Sequence, residues 1–199
     1  MALTKDELIK AAIIEAAQKL FQQFGLAKTT MEDIAKAVGK GKSSIYYYYA
    51  TKENIFEAVV EKEAQSIEND IVVAIEKATT ACDKLNAFAH SRYKALRKRQ
   101  LLYKIMVHSF EEHMCVFNVI KQRFSETEYN IIQDIVTYGI ANGEFDPAHG
   151  KPDTSMATKI CRNTFKGLQM ELSFGNYTAS ATDLIDATVK FVVSGLKNC

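Results

Sequence analysis

The chain has 199 residues, of which 47% are apolar and 25% charged. Those proportions belong to a folded globular protein and exclude a disordered one. The net charge of +1 does not mark a polyanion binder by itself, and no apolar run approaches the roughly 18 to 20 residues of a membrane span. Four cysteines, Cys82, Cys115, Cys161 and Cys199, stand far apart with no CxxC pair. That spacing argues against a structural zinc and against a disulfide framework, and it fits a reducing cytoplasm. Met1 to Lys10 has no apolar stretch of signal-peptide length, so a cytoplasmic protein is expected. With only two prolines, Pro147 and Pro152, long stretches are free to be helical, and an all-α fold is expected.

The elements follow from caps and periodicity. Thr4 with Glu7 forms a capping-box signature, and Leu8, Ile9, Ala12, Ile13, Ala16, Ala17, Leu20, Phe21 and Phe24 then recur at helical steps. Gly25 suits the left-handed residue that ends such a helix. Thr30 with Asp33 begins a second, short helix carrying Met31, Ile34, Ala35 and Val38, which Gly39 stops. A further short helix is predicted over about 41–49. Thr51 caps a long one through Ile55, Phe56, Val59, Val60, Ala64, Ile67, Ile71 and Ile75. Helices are then predicted at about 83–98, 101–117, 125–142, 153–174 and 180–196. Ser125 with Glu128 and Ser180 with Asp183 look like capping boxes, and the stretch from Asn142-Gly143 to Pro152 reads as a loop.

Two short helices joined at a glycine are the helix-turn-helix plan. Ala35 is small where the helices cross, and Ile34, Val38 and Ile45 supply a shared miniature core, covered by Phe21 and Phe24. The face left outward at the start of the second helix of the pair carries Gly41, Lys42, Ser43, Ser44, Tyr46 and Tyr47. Backbone N–H groups, hydroxyls and a lysine at a helix N-terminus suit phosphate oxygens and base edges. The charge distribution agrees: residues 1–52 hold eight lysines against five acids, a net +3, leaving −2 for the rest.

The segments Phe24-Gly25, Thr29-Thr30-Met31-Glu32-Asp33-Ile34-Ala35, Val38 through Tyr49, and Thr51-Lys52-Glu53 together resemble the N-terminal signature of TetR/AcrR-type transcriptional regulators. The likeness covers about residues 8–60. Position 41 is Gly where that family often has Ser, and position 43 is Ser where it often has Gly. The resemblance implies an all-α protein with a helix-turn-helix DNA-binding domain at 1–50 and a helical effector-binding and dimerisation domain at 51–199. It implies that Thr30 caps its helix and touches a phosphate, and that Lys42, Ser43 and Ser44 open the recognition helix. Tyr47 would lie near base edges, Tyr46 would reach the DNA backbone, and Lys52 would hold a phosphate. Tyr49 stands where the family usually has a buried Phe.

The body is rich in aromatic and Met residues, which serve a core first and a cavity second. The resemblance implies a pocket for a small-molecule effector that lowers DNA affinity, and by linkage the effector then prefers the free protein. Candidate lining residues are Tyr103, Phe110, Met114, Phe117, Tyr138, Arg162 and Phe165. Arg162 and Lys166, one turn apart, point to an anionic effector. The last two helices are implied to pair with their two-fold mates in a homodimer, which DNA specificity also calls for, since one small module covers few base pairs.

Other clusters have plainer explanations. Arg92, Lys94, Arg97, Lys98 and Arg99 spread around most of a helix circumference, as a solvated helix end would. His108, Glu112 and His113 lack a closing ligand, so no metal and no cofactor are expected. No GxSxG, HExxH or phosphate-binding glycine loop occurs, so the chain is not expected to be an enzyme. The alternatives kept open are a small helical adaptor and a metal-dependent enzyme without DNA binding, the latter using His108, Glu111, Glu112 or His113.

Overall fold

The computed structural model describes residues 4–98, 114–146, 153–174 and 180–197, with the side chains of Leu96, residues 114–121, Arg123, Ser173 and Phe174 left aside. The described residues form eight helices and no strand: α1 (Lys5–Phe24), α2 (Met31–Val38), α3 (Lys42–Tyr48), α4 (Lys52–Glu76), α5 (Ala81–Lys98), α6 (Met114–Ala141), α7 (Thr154–Phe174) and α8 (Ala181–Leu196).

The capping signatures of the first fifty residues act as expected. Thr4 accepts from the Glu7 N–H at 3.3 Å, and the Glu7 carboxylate accepts from the Thr4 N–H at 2.7 Å. Thr30 and Asp33 repeat the exchange at 3.1 and 2.9 Å. Gly39 closes α2 in the left-handed region (φ 68°), where a side chain would be strained. Thr51 accepts from the Asn54 N–H and starts α4.

Helices α1 to α3 share a core with the first turns of α4. Ile13, Ala17, Ile34, Ile45 and Ile55 are fully buried, and the rings of Phe21 and Phe56 meet edge to face at 5.4 Å. Two-turn helices bury too little apolar surface to stand alone, so the long α4 serves as their floor. Phe24, expected as a cover for this core, is instead half exposed. It stands on the helix's last turn, where with Leu20 and Ala37 it edges a surface groove against α2.

The body is a stack of long helices, with α5 and α6 packed on α4, α7 between α6 and α8, and α8 against α5. Three boundaries differ from those predicted. Helix α5 begins at Ala81, because Thr80 and Asp83 make the cap (Oγ1 to Asp83 N–H 3.0 Å). The Glu144 carboxylate also accepts the N–H groups of Ala81 at 2.9 Å and Cys82 at 3.4 Å, an anion set on a helix N-terminus. Helix α6 runs unbroken through Ser125, so Ser125 and Glu128 are not a cap, and Glu128 is committed elsewhere. Ser180 begins α8 without a side-chain bond. Asp153 caps α7, accepting from the Met156 N–H at 2.8 Å.

After α6 the chain turns at Gly143 (φ 72°) and folds Phe145 back onto Gly139. A Cβ on Gly139 would stand 2.3 Å from the Phe145 ring and 2.8 Å from Ala81 Cβ. The turn that delivers Glu144 to α5 therefore depends on that missing side chain. No described helix is long and apolar enough to cross a membrane.

Candidate nucleic-acid interface and effector seam

Helix α3 presents its N-terminal end and one side to solvent. Gly41 precedes it with no side-chain cap, so its first N–H groups face outward beside Lys42 and Ser43, both exposed. The Lys42 ammonium lies 2.7 Å from the Glu32 carboxylate of α2. That bond holds its pKa above the ordinary lysine value, so the side chain stays cationic. Ser44 is half-buried. Tyr47 is 77% exposed and Tyr46 46%, whereas Ile45 between Ser44 and Tyr46 is fully buried.

The four consecutive tyrosines divide by angle, since residues step about 100° around a helix. Tyr46 and Tyr47 project outward. Tyr48 turns to α1, donates to Asp6 Oδ1 at 2.9 Å, and takes the Tyr47 ring edge to face at 4.9 Å. Hydrogen bonding to Asp6 raises the Tyr48 hydroxyl above its ordinary pKa. Tyr49 ends the helix half-buried, and burial raises its pKa. Ile9, Lys40, Ser43, Ser44, Tyr47 and Tyr48 line an open groove of about 260 Å³ along this face.

Thr30 is exposed at the start of α2, its hydroxyl donating to Asp33 Oδ2 at 2.7 Å. That bond, with the Thr30 N–H, holds the Asp33 carboxyl below its usual range. Thr29 is buried and donates to the Gly25 carbonyl at 2.8 Å, fixing the α1–α2 turn. Lys52, at the start of α4, donates to the Leu26 carbonyl at 2.8 Å and reaches Ala27 at 3.5 Å. Its ammonium thus ties α4 to the turn ahead of Thr30. The structure brings Lys42, Ser43, Tyr46 and Tyr47 onto one short helix and sets Thr30 and Lys52 on neighbouring helix starts.

In the body, Tyr103 and Phe110 lie outside the described residues, as do the side chains of Met114 and Phe117. The metal candidates His108, Glu112 and His113 and the alternative acid Glu111 also lie outside them. Tyr138 is 40% exposed, donates to the Thr79 carbonyl at 2.9 Å and sits under the Lys84 ammonium. It belongs to the α4–α5 turn and is not brought together with Phe165. Phe165 is buried, its ring 5.7 Å from that of Phe88.

Around Phe165 lies a polar network whose full membership the sequence does not reveal. Arg92, predicted as part of a solvated run, is 6% exposed. It forms a two-pronged pair with the equally buried Glu128, and it donates to the Phe165 carbonyl at 3.4 Å. Lys94, Arg97 and Lys98 of that run are exposed as predicted, and Arg99 lies outside the described residues. On α4, burial raises the Glu68 carboxyl above its usual range, against a hydrogen bond from Thr127 that lowers it; Glu128 nearby raises it further. Arg162 is half-buried on α7, near Ser125 and Tyr129. Lys166, one turn on, is exposed. The seam lined by Ala89, Arg92, Phe165, Leu168, Gln169 and Ile185 holds a cavity of only about 10 Å³, room for about one water.

Residues 13–59 match the family model described as bacterial regulatory proteins, tetR family. Over 138 residues, 69% of this chain and 72% of the relative, it is 25% identical to the HTH-type transcriptional regulator YhgD of Bacillus subtilis. Over 127 residues it is 28% identical to the biofilm operon negative transcriptional regulator IcaR of Staphylococcus aureus, spanning 64% of this chain and 63% of IcaR, less than two thirds of that relative. Among solved structures, a transcriptional regulator from Cytophaga hutchinsonii aligns at TM-score 0.73 and 28% identity, over 94% of this chain and 97% of its own. FadR of Bacillus subtilis, solved in complex with stearoyl-CoA, shares the fold at TM-score 0.69 and 21% identity, over 94% and 98%. With the capped, glycine-jointed head and the all-helical body in place, the chain belongs to the TetR/AcrR family of transcriptional regulators.

Proposed function

We propose that the protein is a ligand-responsive repressor that binds double-stranded DNA as a homodimer and leaves its operator when a small-molecule effector occupies the body. The observation that carries this is the outer face of α3, where Lys42, Ser43, Tyr46 and Tyr47 project from a helix anchored by buried Ile45. A recognition helix offers N-terminal residues to the major groove in this way. Thr30 and Lys52 flank it as phosphate contacts, and Ser44 completes its first turn. Residues 1–50 form the DNA-binding unit and residues 51–199 the effector and dimerisation unit.

Dimerisation through α7 and α8 is supported by the apolar side chains those helices leave in solvent. Met156, Ile160 and Met170 on α7 are about half exposed, and Phe191 on α8 is 81% exposed. Unpartnered apolar surface of this kind marks an interface. Two heads then meet DNA about one turn apart, ~34 to 36 Å. Coupling to the effector runs through α4, which supplies Phe56 to the head core and Glu63 to Gln18 of α1 (2.7 Å). The protein works in the cytoplasm, where its DNA is.

Fluorescence anisotropy on the duplex flanking its own gene, titrated in salt beside a scrambled duplex, tests this. Selective binding with a steep salt slope, weakened in Tyr47→Ala, is the expected result. Absence of binding to either duplex at low salt would refute it and favour a helical adaptor or an enzyme.

A further inference from the structure

The inner stripe of α7 carries Arg162, Phe165 and Gln169, spaced three and four residues apart and so on one face. Phe165 is packed against Phe88. The polar atoms on either side of it are not settled: Arg162 Nε and Gln169 Oε1 are both buried without a hydrogen-bond partner. Native interiors hold few such atoms, and each asks for an explanation.

Arg162 is the more telling of the two. Its other contacts are long and go to neutral acceptors, Ser125 Oγ at 3.5 Å and Asn163 Oδ1 at 3.4 Å, with the Tyr129 ring 5.7 Å away. It has no carboxylate partner among the described residues. Arg92, across the same seam, differs: Glu128 neutralises it on two prongs and the Phe165 carbonyl takes a third donor. One buried cation is thus complete and the other, half-buried, lacks a counter-ion. From Thr154 to Met170 the helix carries Lys159, Arg162 and Lys166 and no acid, so the local field favours an anion. Past Phe165 the seam turns apolar with Leu168, Leu172 and Ile185, and it is closed to all but about 10 Å³.

An arginine edge with a free Nε matches the two oxygens of a carboxylate or phosphate. We infer that Arg162 is the headgroup anchor of the effector site, and that the effector class is an amphipathic anion, a carboxylate or phosphate monoester on an apolar chain. The chain lies along the α7 stripe, parting α7 from α5 and α8. This rests on the effector-responsive function proposed above.

The test uses three probes with one tail, decanoate, decyl phosphate and decanol, each below its micelle-forming concentration. Binding is read by the shift in thermal unfolding of the full-length protein, and release of the operator duplex is read in parallel. Both anions are expected to bind at least about tenfold more tightly than decanol. Arg162→Gln brings the three within about twofold of one another, and Arg162→Lys keeps part of the preference as a point charge. Equal binding of all three by the wild type, no shift with either anion, or an anion preference that survives in Arg162→Gln overturns the anchor. Equal release of operator by anions and alcohol also overturns it while leaving the effector-responsive reading intact. Arg162-dependent anion binding without release supports the anchor and refutes the release mechanism.

Discussion

Replacing Arg92 with Met removes one member of a pair that is closed off from water on both sides. Arg92 and Glu128 are each 6% exposed, and their two hydrogen bonds join α5 to α6. In the variant Glu128 remains buried with no counter-ion from α5 and with the Glu68 carboxyl nearby on α4. The Phe165 carbonyl also loses its Arg92 donor. Breaking a buried pair from one side costs about 3 to 5 kcal/mol. In a chain of this length each kcal/mol moves Tm by about 2 to 4 °C, so Arg92→Met is expected to melt about 6 to 20 °C below the wild type. The double variant Arg92→Met, Glu128→Leu removes both charges and replaces them with apolar volume. It should return to within about 2 kcal/mol of the wild type, because such pairs roughly offset their own desolvation. Thermal unfolding followed by circular dichroism, at one protein concentration throughout because association shifts Tm, measures all three. A Tm loss under about 3 °C in Arg92→Met, or a double variant as unstable as the sum of its singles, would refute a closed, mutually dependent pair.

Three further outcomes follow from individual contacts. Burial raises the Glu68 pKa, so its share of stability is full below the unfolded value of about 4.3 and is lost as pH rises through the folded value. Glu68→Gln should therefore melt above the wild type at pH 7.5 and converge with it toward pH 4.5; a gap that is the same at both would refute this. Cys161 is fully buried, with its thiol pushed up to about 11, whereas Cys82 is half-buried. Iodoacetamide at pH 8 should label Cys82 well before Cys161 in mass-spectrometric mapping, and equal rates in the folded protein would contradict the packing. Gly139→Ala puts a methyl into the Phe145 ring and should cost about 1 to 3 kcal/mol, read as a lowered Tm, with an unchanged Tm as the refuting result.

The head was legible because its signals are local. Thr4 with Glu7, Thr30 with Asp33 and Thr51 each act on N–H groups within one turn, and Gly25 and Gly39 both adopt positive φ at the ends of their helices. Alternation of outward and inward side chains over residues 42–49 likewise follows from helix geometry once Ile45 is inside. The same logic finds the start of α5 at Thr80, since Thr-x-x-Asp stands there in the sequence as plainly as at Thr30. Phe24 shows the limit of periodicity. It falls on the apolar repeat of α1, yet α1 ends beside it and α4 already covers the core, so nothing is left for it to cover.

Ser125 and Glu128 mark where local signals mislead. Ser-x-x-Glu can cap a helix only where the chain breaks, and no glycine or proline lies between residues 117 and 125. The glutamate's role is decided by Arg92, 36 residues earlier, on a segment whose abundant basic residues suggest solvent. Neither stretch declares the other. An arginine's burial is set by whether a carboxylate reaches it across a seam, and charge spacing along one helix carries no information about that. The contrast between Arg92 and Arg162 has the same origin. Both are single basic residues at helical spacing in the sequence, and only the packing of α5, α6 and α7 completes one and leaves the other facing neutral groups. Evolution of a binding site inside a packed bundle takes this form, because a cation kept unpaired in the interior lowers stability and is retained where a ligand supplies the missing charge.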